Sequence, residues 1–253
     1  MDIAILGSGG LGRAVAAAAT ERGDTVRLLG RPTSGQHDPA TLAGADVVVE
    51  ASRAEAVVGN LGAALDAGGR RLVLATTGWT GNRPHVDALL RERGAAAVAA
   101  SNFSLGVVLF GRLVDAAVEL FGPLASFDPY LVEWHRRDKL DRPSGTAGEL
   151  ARRILAAHPA KHRIAEGPAG GRLQPDELEV VSIRAGASPG MHLVGFDSLG
   201  ETVELRLTAR DRSAYADGIL AAADWLTSGP RPAGLHPFGP VVDELLAGAP
   251  VAA

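Results

Sequence analysis

The segment Glu133-Trp134-His135-Arg136-Arg137-Asp138-Lys139-Leu140-Asp141-Arg142-Pro143-Ser144-Gly145-Thr146-Ala147 concentrates groups that donate protons and bind anions. His135 and Lys139 are able to supply protons to an anion left by hydride addition. Ser144 has the chemistry of a helix N-cap, and the N–H groups of Gly145 and Thr146 behind it suit a carboxylate. Arg136, Arg137 and Lys139 add positive potential that draws an anion in. Taken by itself, the segment fits a charged loop leading into a capped helix equally well.

A second constellation lies at the start of the chain. Gly7-Ser8-Gly9-Gly10-Leu11-Gly12 matches G-x-G-x-x-G directly after a short apolar run and before a helical pattern. In that setting glycines let backbone approach a pyrophosphate, and the helix N-terminus offers N–H donors and a favourable dipole. The competing reading is a tight turn in an unrelated α/β protein. The next apolar run ends Leu29-Gly30-Arg31-Pro32-Thr33-Ser34, with no carboxylate for ribose hydroxyls. Arg31 suits a phosphate, and Thr33 and Ser34 can donate to one, so NADPH is expected over NADH, with NADH possible.

These residues need a scaffold, and the pattern describes one. Apolar runs at Ile3–Leu6, Val26–Leu29, Val47–Glu50, Leu72–Thr76 and Ala96–Ala99 alternate with helical stretches at Leu11–Arg22, Ala54–Ala67 and Pro84–Arg93. Continuous apolar strands between helices predict a doubly wound parallel sheet of the Rossmann type. After residue 104 the pattern changes. A helix over Gly106–Phe121, a strand at Tyr130–Trp134 and a helix over Thr146–Ala157 precede strands at Val180–Arg184, His192–Phe196 and Thr202–Thr208. Successive strands with Gly-rich turns predict a second, α+β domain with a mostly antiparallel sheet. The expected division is 1–104 for the dinucleotide domain, completed by 211–253, and 105–210 for the substrate and oligomerisation domain. Ser213–Leu226 reads as the returning helix, Trp225 as core, Asp211 and Arg212 as an ion pair or cap, and 157–175 as a mobile loop.

Composition narrows the function classes. Of 253 residues, 46% are apolar and only 4% aromatic, and the net charge is −4, so no nucleic-acid partner is expected. The absence of cysteine excludes disulfides, thiolate nucleophiles and Cys-ligated zinc, and fits a cytoplasmic setting. Pro159 between His158 and His162 disfavours a helical metal pair, and no metal is expected. No run of about 18 apolar residues predicts a membrane span.

The Glu133–Ala147 segment resembles the signature E-x-H-H-x-x-K-x-D-x-P-S-G-T-A of the dihydrodipicolinate (4-hydroxy-tetrahydrodipicolinate) reductase family, departing at one specified position, Arg136. Thr76-Thr77-Gly78-Trp79, Asn102-Phe103-Ser104-Leu105-Gly106, Arg184-Ala185-Gly186 and Gly200-Glu201 look like the same family, in order. The resemblance implies hydride transfer from NADPH or NADH to a cyclic unsaturated imine dicarboxylate of lysine (diaminopimelate) biosynthesis. It implies His135 as the acid, Lys139 as a second proton donor, and Arg136, Ser144, Gly145 and Thr146 as carboxylate contacts. It further implies Ala75, Thr76, Thr77, Ala100, Ser101, Asn102 and Phe103 on the nicotinamide side, and a homotetramer assembled through the second sheet. The glycine loop is one residue shorter than the family's and lacks its arginine. Glu50-Ala51-Ser52 replaces Asp-Phe-Thr, Met191 replaces a glutamate, and Leu207 replaces a common histidine. Two alternatives stay open: a paralogous reductase of another cyclic imine or conjugated carboxylate, and a catalytically silent NADPH sensor. The paired donors His135 and Lys139 argue against the sensor.

Overall fold

The structure, a computed structural model, describes residues 1–33, 37–165 and 171–248. The chain forms two compact units, Met1–Leu105 with the segment from Arg212 onward, and Gly106–Asp211.

The first unit opens with β1 (Asp2–Leu6), α1 (Gly10–Glu21), β2 (Thr25–Leu29), β3 (Val47–Glu50), α2 (Val57–Asp66), β4 (Arg71–Leu74), α3 (Arg83–Glu92) and β5 (Ala96–Ala99). The second holds α4 (Leu105–Phe121), β6 (Asp128–His135), α5 (Gly145–Ala157), β7 (Arg163–Ile164), β8 (Glu177–Arg184), β9 (Met191–Asp197) and β10 (Thr202–Thr208). The chain then returns through α6 (Ser213–Thr227), β11 (Gly234–Pro237) and α7 (Phe238–Gly248).

The first sheet runs β11-β5-β4-β3-β1-β2, all parallel. Its inner strands are buried along nearly their whole length, which is why they read as unbroken apolar runs. The order reverses between β1 and β3, so the glycine loop after β1 leaves the sheet at the topological switch point, where this architecture opens a ligand crevice.

The second sheet, β10-β9-β6-β8-β7, is mixed. Antiparallel pairing holds for β10 with β9 and β9 with β6, whereas β6–β8 and β8–β7 are parallel. The parallel pair follows from α5, which carries the chain back over the sheet between β6 and β8. β7 falls inside the stretch expected to be a loop, and 166–170 lie outside the described residues. One face packs on α4 and α5 through Phe110, Val114, Val118, Leu131, Leu150, Ile154, Val194 and Phe196. The opposite face leaves Trp134, Val181 and Ile183 exposed.

Candidate active site

The glycine loop is shaped by what its glycines exclude. Gly7 has φ +118°, and a Cβ there would meet the Ala51 carbonyl oxygen at 2.3 Å. A Cβ on Gly12 would meet the Gly7 carbonyl oxygen at 1.8 Å, so only glycine lets α1 pack this close to β1. Gly9, by contrast, faces open space and caps α1 without a side-chain hydrogen bond, and the first turn of α1 carries no acidic residue. That is the environment an anion needs at a helix N-terminus. Ser8 and Leu11 belong to the same turn, with Ser8 Oγ 3.4 Å from where a Cβ on Gly30 would lie. The Gly7 amide donates to Leu29 O (2.8 Å), tying the loop to the end of β2. Arg31 and Thr33 are exposed just beyond, while Ser34 lies outside the described residues.

Arg212, distant in the chain, reaches the glycine loop. Its guanidinium lies over Gly10, where an added Cβ would stand 1.9 Å from Nη1. Sequence reading placed Arg212 in an ion pair or cap. The residue occupies the N-cap position of α6 but makes no side-chain capping bond.

β3 ends in Glu50, fully buried, which accepts from the Ser52 amide and hydroxyl and from Asn60 Nδ2 (3.0 Å). Beyond β4, Ala75 and Thr76 are buried and Thr77 is exposed. Thr76 O accepts from Trp79 Nε1 (2.8 Å), while Thr76 Oγ1 is buried with no hydrogen-bond partner among the described residues. Beyond β5, Asn102 Oδ1 accepts from the Ser104 amide (2.8 Å), Phe103 is buried against Phe238 at 4.8 Å between ring centroids, Ala100 is half-buried and Ser101 exposed. The loops after β1, β4 and β5 thus surround the carboxyl edge of one sheet. The open helix start at Gly9 and the orphaned Thr76 hydroxyl fit a dinucleotide.

In the second unit His135 closes β6 on the buried face. Its Nδ1 lies 2.8 Å from Oε2 of the fully buried Glu133. Oε1 of Glu133 accepts from Ser144 N (2.9 Å), Ser182 Oγ (2.6 Å) and Arg184 Nη2 (2.8 Å). Burial pushes the Glu133 carboxyl up, but the bonds from Ser144, Ser182 and Arg184 outweigh it and hold it at about 2. Burial lowers His135, with Glu133 opposing that shift. It lowers His192 further, to about 4, with His135 adding to the effect. The two imidazoles meet edge-on at 5.2 Å, and His192 Nε2 lies 3.3 Å from Ser144 Oγ. Glu133, His135 and His192 bring ligand-type atoms within 4.8 Å of one another. Arg184 already neutralises that carboxylate, so the cluster is organised as an ion pair carrying an imidazole.

Ser144 caps α5, its hydroxyl accepting from Ala147 N (3.2 Å), so Gly145 and Thr146 form the first turn. A Cβ on Gly145 would meet nothing within 4 Å, leaving room for close approach. Lys139 pairs with Asp141 (2.8 Å) and holds that carboxyl below its usual range. Arg136 is exposed and paired with Asp138 (2.8 Å). The structure therefore gathers His135 and Ser144 around Glu133 and carries Arg136 outward. Sequence reasoning gave no role to Glu133, Ser182, Arg184 or His192, although Glu133 and Arg184 stand in the stretches that carry the family resemblance. The available signal was a carboxylate on the core phase of a strand otherwise alternating Leu131 in, Trp134 out.

A parallel sheet with a glycine-loop crevice, joined in one chain to a proton-donor loop running into a helix N-terminus, defines a two-domain pyridine-nucleotide oxidoreductase. Family models described as dihydrodipicolinate reductase, N-terminus and C-terminus, match residues 1–103 and 106–236. The chain belongs to the dihydrodipicolinate reductase family. It is 37% identical to the 4-hydroxy-tetrahydrodipicolinate reductase of Wolinella succinogenes, over 73% of this chain and 72% of the relative. It is 33% identical to that of Halorhodospira halophila, over 93% and 96%. Among solved structures, the dipicolinate-bound dihydrodipicolinate reductase of Paenisporosarcina sp. TG-14 shares the fold with TM-score 0.71 at 20% identity, covering 94% of this chain and 97% of that one.

Proposed function

We propose that this chain is an NADPH-preferring reductase of a cyclic unsaturated imine dicarboxylate, the 4-hydroxy-tetrahydrodipicolinate-derived intermediate of lysine biosynthesis. The observation that carries this reading is the one-unit grouping of His135, the ionised Glu133 and the Ser144-capped start of α5. When bound, the reduced nicotinamide supplies the hydride. Gly7, Gly9, Gly10, Gly12 and Arg212 would hold the pyrophosphate, Arg31 the ribose phosphate, and Thr76 and Asn102 the nicotinamide side. The N–H groups at the start of α5 hold a substrate carboxylate and orient the ring. His135 Nε2 supplies the proton that neutralises the reduced product, and Lys139 adds positive charge and a second donor. Gly190 leaves Nε2 open, since a Cβ there would lie 3.0 Å from it.

The test is NADPH oxidation by the purified protein with dihydrodipicolinate synthase generating the substrate. Competitive inhibition by pyridine-2,6-dicarboxylate, abolished in Thr146→Val, is the expected result. Inhibition by picolinate but not the dicarboxylate favours the paralogous reductase, for which the outward pairing of Arg136 with Asp138 is the specific observation. Insensitivity to both reduces the Ser144 turn to a helix cap.

Arg31→Ala is expected to weaken NADPH about tenfold to a hundredfold while sparing NADH, the loss of one charge-assisted phosphate contact. Equal weakening of both cofactors, measured by fluorescence titration, contradicts the assignment. The open face bearing Trp134, Val181 and Ile183 supports a homotetramer, to be checked by analytical ultracentrifugation. The cysteine-free composition supports a cytoplasmic setting. No helix among the described residues is long and apolar enough to cross a membrane.

A further inference from the structure

We propose that Glu133 is the positioning residue of this site: one carboxylate oxygen sets the tautomer and ring orientation of His135, and the other fixes the start of α5 through the Ser144 amide. The inference rests on the reading of His135 as proton donor.

A purely structural role for Glu133 would be to neutralise the buried Arg184. The distribution of contacts says more. All three hydrogen-bonded donors, Ser144 N, Ser182 Oγ and Arg184 Nη2, converge on Oε1. Oε2 lies 2.8 Å from His135 Nδ1, an ion-pair contact, and neither atom has a hydrogen-bond partner among the described residues, so each is the nearest group able to satisfy the other. The donors on Oε1 keep Glu133 ionised. A neutral imidazole with Nδ1 against a carboxylate must carry its proton on Nδ1, because two lone pairs would otherwise oppose each other. The second proton of His135 therefore comes and goes at Nε2, on the side that Gly190 leaves open. The cross-strand register makes the arrangement rigid: Glu133 stands opposite Ser182 on β8 and His192 on β9, and His135 opposite Arg184. Because Ser144 N hangs on the same carboxylate, acid and anion cradle share one anchor.

The charged and titratable groups facing His135 are Glu133, Lys139, Arg184, Asp141 and His192. Of these, Glu133 is the nearest that favours the protonated ring. His135 is active as an acid while protonated, so turnover falls as pH rises through its titration. Removing the Glu133 charge moves that limb to lower pH. Glu133→Gln is expected to shift the limb of kcat down by about one to two pH units. NADPH affinity stays unchanged, and Glu133→Asp recovers part of the shift. In wild-type protein, ¹⁵N NMR of the histidines is expected to show neutral His135 protonated at Nδ1. That spectrum decides the matter even if Glu133→Gln does not fold, and predominance of the Nε2–H tautomer overturns the inference. Should Glu133→Gln lower kcat without moving the limb, Glu133 is structural only and the inference fails alone. Should His135→Gln leave the wild-type limb in place, the proton-donor reading fails and takes the inference with it.

Discussion

His135→Gln is expected to lower turnover by about 10²–10⁴-fold, the usual contribution of a positioned general acid, while NADPH binding stays intact. Glutamine roughly matches imidazole in reach and hydrogen-bonding capacity, so the packing against His192 changes little, but it has no proton to give near neutral pH. Lys139→Met, which removes the ammonium now paired with Asp141, is expected to fall in the same direction. Stopped-flow hydride transfer with matched cofactor titrations separates the step from the binding. Near wild-type rates in both variants would leave the loop as scaffold, and the silent-sensor alternative would regain force.

Arg184→Met carries the largest expected effect on stability. The Arg184 and Glu133 side chains are 1% and 0% exposed, so removing the cation leaves an uncompensated carboxylate in the core. Breaking such a pair costs about 3–5 kcal/mol, which lowers the melting midpoint of this unit by about 10 °C or more. The sign of the pH dependence follows from the same cluster. Glu133 is held at about 2 when folded, below the ordinary carboxylate value of 4.5. Its contribution is full above pH 4.5 and is lost as pH falls towards 2. The Arg184→Met penalty should therefore shrink over that range. His192, held at about 4 against an ordinary 6.5, is neutral when folded, so acidification from 6.5 to 4 destabilises the unit through that ring. Calorimetry across pH checks both ranges, and His192→Gln should shrink the upper one, leaving the smaller part due to the other buried rings, His135 and His158. A melting midpoint unmoved by Arg184→Met would mean that the pair is not the buried anchor described.

Much of the first sheet was legible because strands buried on both faces write their burial directly as runs such as Val47–Glu50. The glycine loop was legible because Gly7 and Gly12 answer local steric demands that sit in sequence at fixed spacing. β11 was not: Gly-Leu-His-Pro has no apolar run, and its Pro237 is tolerated because the strand lies at the sheet's edge. β7, two residues long, has no period to detect. In the second unit the segment around His135 carried its own chemistry, whereas its supporting residues did not. Glu133, Ser182 and His192 sit on three strands, and only the register of β6 against β8 and β9 makes them neighbours. Arg212 was hidden for a similar reason, since its role depends on α6 returning to the first unit.

The return of α6 and β11 bears on the order in which the protein is made. Ala96 of β5 pairs with Gly234 of β11, and α6 is so closely seated that a Cβ on Gly218 would fall 1.7 Å from the Phe103 carbonyl oxygen. A ribosome that has completed Ala99 has therefore produced a sheet whose edge and one covering helix are still unwritten. Gly106–Asp211, contiguous in the chain, meets no such delay. The inserted unit has all its strands by Thr208, whereas the first sheet lacks α6 until translation passes Thr227 and its edge strand β11 until it passes Pro237.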